Sequence, residues 1–394
     1  MSVYYIDPVM GDGDGSSPEK AARDYRSLSL VCGDSVLFRR GSYIRDSLDT
    51  VEGVTYGAWG EGARPVFSAS VDLSAPECWK DEGGGVWSCD KALPGDVGNL
   101  IFNGNECTAT LRWEKKDLAS VGDFYDEAFG CRANRPAGAK LLLFSGDNPG
   151  KVWSSVEAAV YGKYCVSRPK DNVSYCDLEF VNSGVHGMQG SCVGVKISRC
   201  AFRRIGGCVW SHEQRIRFGN GVEFWNLGDG ICVEDCEFEN IYDSCITHQG
   251  DRDIKTARNF VCRRNSFDTY GMAAFEYRDR LPIDSFFEDN VCRNAGCGFA
   301  MLGETLPRRS EIWPQPMGHH IFLWRIDGAE DMSGVKICGN RFESAPVGSA
   351  VYSIISEAAE KKLVFSGNEY SGESSVFFGG KKWEDGAAWE QSLK

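Results

Sequence analysis

Six segments along the chain repeat one hydrophobic and polar pattern. They are VKISRCAF (195–202), ICVEDCEF (231–238), FVCRRNSF (260–267), FFEDNVC (286–292), VKICGNRF (335–342) and LVFSGNEY (363–370). Apolar residues alternate with polar ones, as in a strand with one buried face. A cysteine or asparagine follows, and one residue later comes an aromatic or a cysteine. VSYCDLEF (173–180) is an imperfect earlier copy. The Cys/Asn positions are Cys200, Cys236, Asn265, Asn290, Asn340 and Asn368, at intervals of 36, 29, 25, 50 and 28 residues. A coil of roughly 22–30 residues with insertions on one side accounts for them. The interval of 50 is either two coils or one coil with the excursion GETLPRRSEIWPQPMGHH (303–320). Short strands at a coil-length period predict an all-β chain wound as a parallel β-helix. A β-sandwich also has short strands, but lacks a repeating coil signature. The asparagines are expected at the bend between strands, where left-handed backbone is needed. The cysteines are expected as small buried residues stacked on their copies.

Other strands lie between these segments: GVHGMQ (184–189), NGVEFWN (220–226), SCITHQG (244–250), AAFEYRD (273–279) and IFLWRID (321–327). Side chains alternate across a strand. With Val222 and Phe224 inward, Glu223 and Trp225 point outward. The same register turns Thr247, Gln249, Glu276 and Arg278 outward, with His248 at the strand edge or bend. Glu223, Thr247 and Glu276 then form one column, and Trp225, Gln249 and Arg278 the next. Two coils separate the glutamates by about 10 Å at the backbone. Flexible side chains bring that near the roughly 6.5–9.5 Å between the carboxyls of inverting glycosidases. A one-residue slip would bury both.

Glu223 and Glu276 are therefore the expected acid/base pair, with Asp243 and His248 tuning or positioning them. Expected substrate contacts are His186, His212, Asn220, Trp225, Gln249, Tyr277, Arg278 and Trp324, with Trp313 as a further aromatic platform. All five histidines, including His319 and His320, fall between residues 186 and 320. The plainer reading of a histidine or aromatic here is a packed structural residue.

Charge narrows the partners. The 394-residue chain has a net charge of −13, which argues against nucleic acid. No apolar run reaches the roughly 18 residues of a membrane span, and MSVYYIDPVMGDGDG lacks the features of a signal peptide. An odd cysteine count of 17 without regular pairing reads as reduced thiols, so a cytoplasmic location is expected. GDGDG (11–15) reads as a turn rather than a calcium loop. There is no zinc spacing, P-loop, dinucleotide fingerprint or nucleophile elbow. Neither metal nor cofactor is expected.

The N-terminal stretch YYIDPVMGDGDGSSPEKAARDYRSLSLVCGDSVLFRRGSYIRDSL (4–48), followed by VTYGAWGEGARPVFSAS (54–70), resembles the opening of right-handed β-helix carbohydrate-active enzymes of the pectate-lyase-like superfamily. The segments VGDFYDEAFGCR to LLLFSGDNPGKVWSSVEAAV (121–160) and NGVEFW to IYDSCITHQG are similar to a bacterial, glycoside-hydrolase-like branch of it. The resemblance implies a right-handed helix with a capping helix near PEKAARDYRSL (18–28). Residues 71–160, rich in Trp, Gly and Asp, break the coil pattern and read as a β-rich inserted excursion, between an N-terminal cap with the first coils over 1–70 and a main helix over 161–394. The superfamily holds hydrolases, lyases, epimerases and adhesins, so it fixes fold better than function.

Three functions follow. The first is a glycoside hydrolase on plant or host oligosaccharides, exo-acting if the protein is cytosolic, with 71–160 and 303–320 closing the groove. The second is a polysaccharide lyase or uronate epimerase using Arg278, Arg215, Arg217 and Lys255 against a uronate carboxylate. The third is a non-enzymatic glycan-binding β-helix.

Overall fold

The computed structural model describes residues 1–251, 256–303, 317–326 and 334–393. Three long parallel sheets run the length of the molecule, with ten, nine and eleven strands. Each coil of the main helix contributes one strand to each sheet. One coil, for example, supplies Cys232–Glu234, Glu237–Ile241 and Ser244–Gln249. The chain is a right-handed parallel β-helix.

Two stacks fill the interior. Phe67, Phe180, Phe202, Phe238 and Phe267 lie in register on the second sheet, their rings 6.0, 5.1, 5.0 and 5.0 Å apart. That spacing is close to the rise between hydrogen-bonded strands, so one aromatic per coil makes a continuous core. At the first bend Asn265, Asn290, Asn340 and Asn368 form an amide ladder. Each Oδ1 accepts the backbone N–H of the preceding coil's Cys or Asn, at 2.9–3.0 Å. Each Nδ2 donates to a carbonyl one coil back, Val233, Cys262, Phe287 and Ile337. Glu390 of the C-terminal helix Gly386–Ser392 closes the ladder on Asn368.

The ladder asparagines do not themselves adopt left-handed backbone. The positive φ falls one residue earlier, at Arg199, Asp235, Arg264, Asp289, Gly339 and Gly367. The ladder residue is chosen for its amide rather than for its backbone. Cys200 and Cys236 occupy the same column earlier in the chain and are buried. All seventeen cysteines carry free thiols. The interval of 50 is one coil, because Ser285–Glu288 pairs directly with Val335–Cys338.

The expected capping helix is absent. Residues 18–28 form two single 3₁₀ turns, Pro18–Lys20 and Tyr25–Ser27. Between them Ala22 joins the first strand, donating to Tyr5 O and accepting from Asp7 N, which takes the backbone out of helical pairing. No helix among the described residues is long and apolar enough to cross a membrane.

Residues 71–160 build separate sheets. Five strands between Trp79 and Phe144 form one of them. Val97–Phe102 pairs antiparallel with Val156–Val160, which pairs with Ser70–Asp72. They enclose their own apolar cluster, which reaches Val209 on the hairpin Cys208–Ser211/Ile216–Phe218.

Candidate active site

The third sheet has the expected register. Glu223 pairs with Thr247, and Thr247 with Glu276. Gln189 extends the column on the other side of Glu223. A cleft of about 500 Å³ opens over this column. Its floor holds Gln189, Asn220, Glu223, Asp243, Gln249 and Arg278. Tyr161, Tyr164 and Arg132 wall one side, and Trp210, Ile216 and Phe218 of the hairpin another. His186 and Trp225 complete the lining.

Glu223 accepts from three side-chain amides in the cleft. Gln189 Nε2 donates to its Oε1 at 2.8 Å, Asn220 Nδ2 donates to its Oε2 at 2.7 Å, and Gln249 Nε2 also donates to Oε2. The polarity of two of these donors is fixed elsewhere. Asn220 Oδ1 accepts the Ser244 N–H at 3.0 Å, so its NH₂ must turn to Glu223. Gln249 Oε1 accepts from an Arg278 NH1, and a guanidinium only donates. Glu223 thus accepts three side-chain amide donors, two of them of fixed polarity. His186 Nδ1 lies 3.4 Å from Glu223 Oε2 and accepts the Asn220 backbone N–H at 3.1 Å. In the neutral ring the proton therefore sits on Nε2.

Asp243 is the second carboxylate in the cleft, 4% exposed. Trp225 is 42% exposed, the freest large aromatic of the lining after Trp210. Trp210 has one face covered, since the Arg132 guanidinium lies 4.1 Å from its ring centre.

Several expected residues are elsewhere. Glu276 is outward in register but does not line the cleft. An apolar layer of Met272, Phe299, Ala300, Met317, Phe322 and Trp324 covers that part of the sheet. Trp324 Nε1 donates to Glu276 Oε1 at 2.5 Å. Burial pushes the Glu276 carboxyl up, against the pull of Arg278 and with a further push from Asp243. The expected Glu223–Glu276 pair is therefore not assembled in one solvent-reachable site. His248 and Tyr277 stack in the column of Phe224 and are buried, Tyr277 in the main core. Alternation puts them on the inner face, where no substrate reaches. Trp324 belongs to the apolar cover and is 4% exposed.

His212 packs against Trp113 and Phe129, its Nε2 3.2 Å from Trp113 O; it joins the hairpin to the excursion. His319 and His320 are buried, and desolvation pushes both down to about 3. Of the arginines proposed for a lyase, Arg217 is buried and donates to Gly207 and Gly98 carbonyls, and Arg215 does not line the cleft. Lys255, Trp313 and most of 303–320 lie outside the described residues.

Gln189, Arg132, Tyr161, Tyr164, Trp210, Ile216 and Phe218 were missed. Gln189 was within reach, since the strand register one coil before Glu223 assigns it. The wall residues come from segments with no repeat pattern. Among the described residues no group of three or more His, Cys, Asp or Glu is placed to hold a metal ion.

No protein-family model matches the chain, and no curated protein matches it. Solved structures do share its fold. XylC in complex with xylose aligns with a TM-score of 0.55 and 13% identity, covering 95% of this chain. The alignment spans 64% of the XylC chain. A glycoside hydrolase aligns at 0.42 and 10% identity, covering 94% of this chain and 96% of that one. The lacto-N-biosidase GH136 from Eubacterium ramulus aligns at 0.33 and 15%, covering 94% and 68%. At these identities the likeness to XylC carries the fold and no more.

Proposed function

We propose that the chain is a glycoside hydrolase acting on oligosaccharides in the cleft over Glu223. The observation that carries this reading is a carboxylate held ready as an acceptor, with a second carboxylate, Asp243, in the same aromatic-walled cleft. Glycosidic cleavage needs this division of labour. An acid gives its proton to the leaving oxygen, while a carboxylate either attacks the anomeric carbon or takes a proton from attacking water. Glu223, already held by three amide donors, is assigned the role of the carboxylate. Asp243 is the acid. Trp225 presents a ring face to the sugar, and His186 offers its Nε2–H to a hydroxyl. This replaces Glu276 with Asp243 and moves His248 and Tyr277 out of the site.

One observation favours a second reading: Arg132 and Arg278 line the same cleft. A lyase would set them against a uronate carboxylate and use Glu223 to take the C5 proton. The test is a panel of neutral and uronate oligosaccharides, assayed for new reducing ends and for the ultraviolet absorption of an unsaturated uronate. Reducing ends alone, abolished in Glu223→Gln and Asp243→Asn, support the hydrolase. Ultraviolet product makes the chain a lyase, and neither product with any sugar removes both readings.

A further inference from the structure

We infer that Asp279 is a positioning residue for Glu223, acting through Arg278 and Gln249. Asp279 does not line the cleft. It follows the strand Ala273–Arg278 at a bend, with a φ of 69°. Asn226, within the strand Val222–Asp229, and Arg325, just after the strand His319–Trp324, take the same left-handed backbone, at 61° and 58°. That conformation is strained for a side-chain-bearing residue. The Asp279 side chain is fully buried. Its Oδ2 accepts the Gly250 N–H at 3.1 Å and faces Arg278 Nε at 3.5 Å, while Oδ1 lies 3.1 Å from Arg325 Nε. Both guanidinium groups lie against Trp324, 4.5 and 5.5 Å from its ring centre.

A carboxylate withdrawn from water destabilises a fold unless paired, and a repeat position with no other duty would not keep one. Here it forms an ion pair with Arg278, whose guanidinium also acts on Glu276 and reaches Gln249 Oε1. Each link has a fixed polarity. The carboxylate attracts the guanidinium as an ion pair, the guanidinium donates to the amide oxygen, and the amide NH₂ donates to Glu223. Released from Asp279, Arg278 no longer dictates the amide. A half-turn of Gln249 would then set oxygen against the Glu223 carboxylate. The charged and titratable groups that share the cleft with Glu223 are His186, Asp243, Arg132, Arg278, Tyr161 and Tyr164. Of these, Arg278 donates to the Gln249 amide oxygen.

The test has two arms. In the first, the protein is labelled with ¹⁵N-glutamine, and the Gln249 side-chain amide pair is assigned by its loss in Gln249→Met. In Asp279→Asn, which keeps the shape, that pair is expected to shift and to exchange with water several-fold faster while the fold is retained. An unaltered pair overturns the inference. Should Asp279→Asn lose its fold, Arg325→Met at a partly exposed position is expected to move the same signals to a smaller extent. No movement there overturns it equally.

The second arm is kinetic and rests on the hydrolase reading. Asp279→Asn is expected to lower kcat about tenfold, as for a lost hydrogen bond to a charged group, with KM within about twofold. In the Gln249→Met background it should have no further effect. Multiplying effects, or a rise in KM alone, overturn the inference. If the wild type cleaves no sugar, the hydrolase reading falls, and the amide signals still decide the role of Asp279.

Discussion

Two buried polar networks run along this solenoid, and they differ in how they end. At the first bend Asn265, Asn290, Asn340 and Asn368 satisfy one another and the backbone, coil after coil, and stop at Glu390. On the third sheet Gln189, Glu223, Gln249 and Arg278 also join neighbouring coils, but each residue differs from the next and the network opens into a cleft. The first repeats because its duty is the same at every coil. The second is irregular because it serves one place. In a solenoid, where each coil contacts only its neighbours, a repeated polar column marks structure and a broken one marks chemistry.

The contrast can be broken most forcefully at Glu223. Glu223→Gln is expected to lower kcat about a thousandfold, at the scale of a lost acid/base group, with the fold retained. Asn290→Ala is expected to do the reverse. It removes a donor to Cys262 O and leaves the Asn265 N–H without its acceptor. The cost is about 2–4 kcal/mol of stability in denaturant unfolding, with kcat retained in the folded fraction.

Charge sharpens the contrast further. The asparagine ladder does not titrate, whereas the excursion sets a buried carboxylate, Asp96, against the hairpin that walls the cleft. Burial pushes that carboxyl up to about 7, helped by Asp126. Its Oδ2 accepts the Val209 N–H at 2.8 Å, tying the 71–160 sheets to the hairpin. The folded state holds this proton more tightly than the unfolded chain, with its ordinary value of 3.8. The stabilising contribution is therefore full below about pH 4 and is lost as pH rises to about 7. Asp96→Asn is expected to flatten the melting temperature over that window, as read by a pH series of thermal scans. The smallest effect is expected at Trp225. Trp225→Ala should raise KM several-fold, about 1 kcal/mol of ring contact, with kcat nearly unchanged.

The repeat was legible because a coil imposes a period, and alternation then fixed the register of Glu223, Thr247 and Glu276. What alternation cannot show is what lies above a face. Glu276 points outward as expected, yet Phe299 and Met317, from segments outside that strand column, cover its side. His248 and Tyr277 sit at inward positions by the same alternation that placed Glu223 outward. The wall residues Arg132, Tyr161 and Trp210 come from non-repeating insertions, whose placement depends on tertiary packing. The capping helix failed for a local reason, since Ala22 finds a strand partner at Tyr5 and Asp7.

The most direct measurement is a crystal structure of Glu223→Gln soaked with an oligosaccharide that the wild type cleaves. The expected result is uncleaved sugar in the cleft, with a ring against Trp225 and the glycosidic oxygen within hydrogen-bonding reach of Asp243. Sugar bound elsewhere on the helix, or bound with its glycosidic oxygen away from both positions, would contradict the assignment of chemistry to this column.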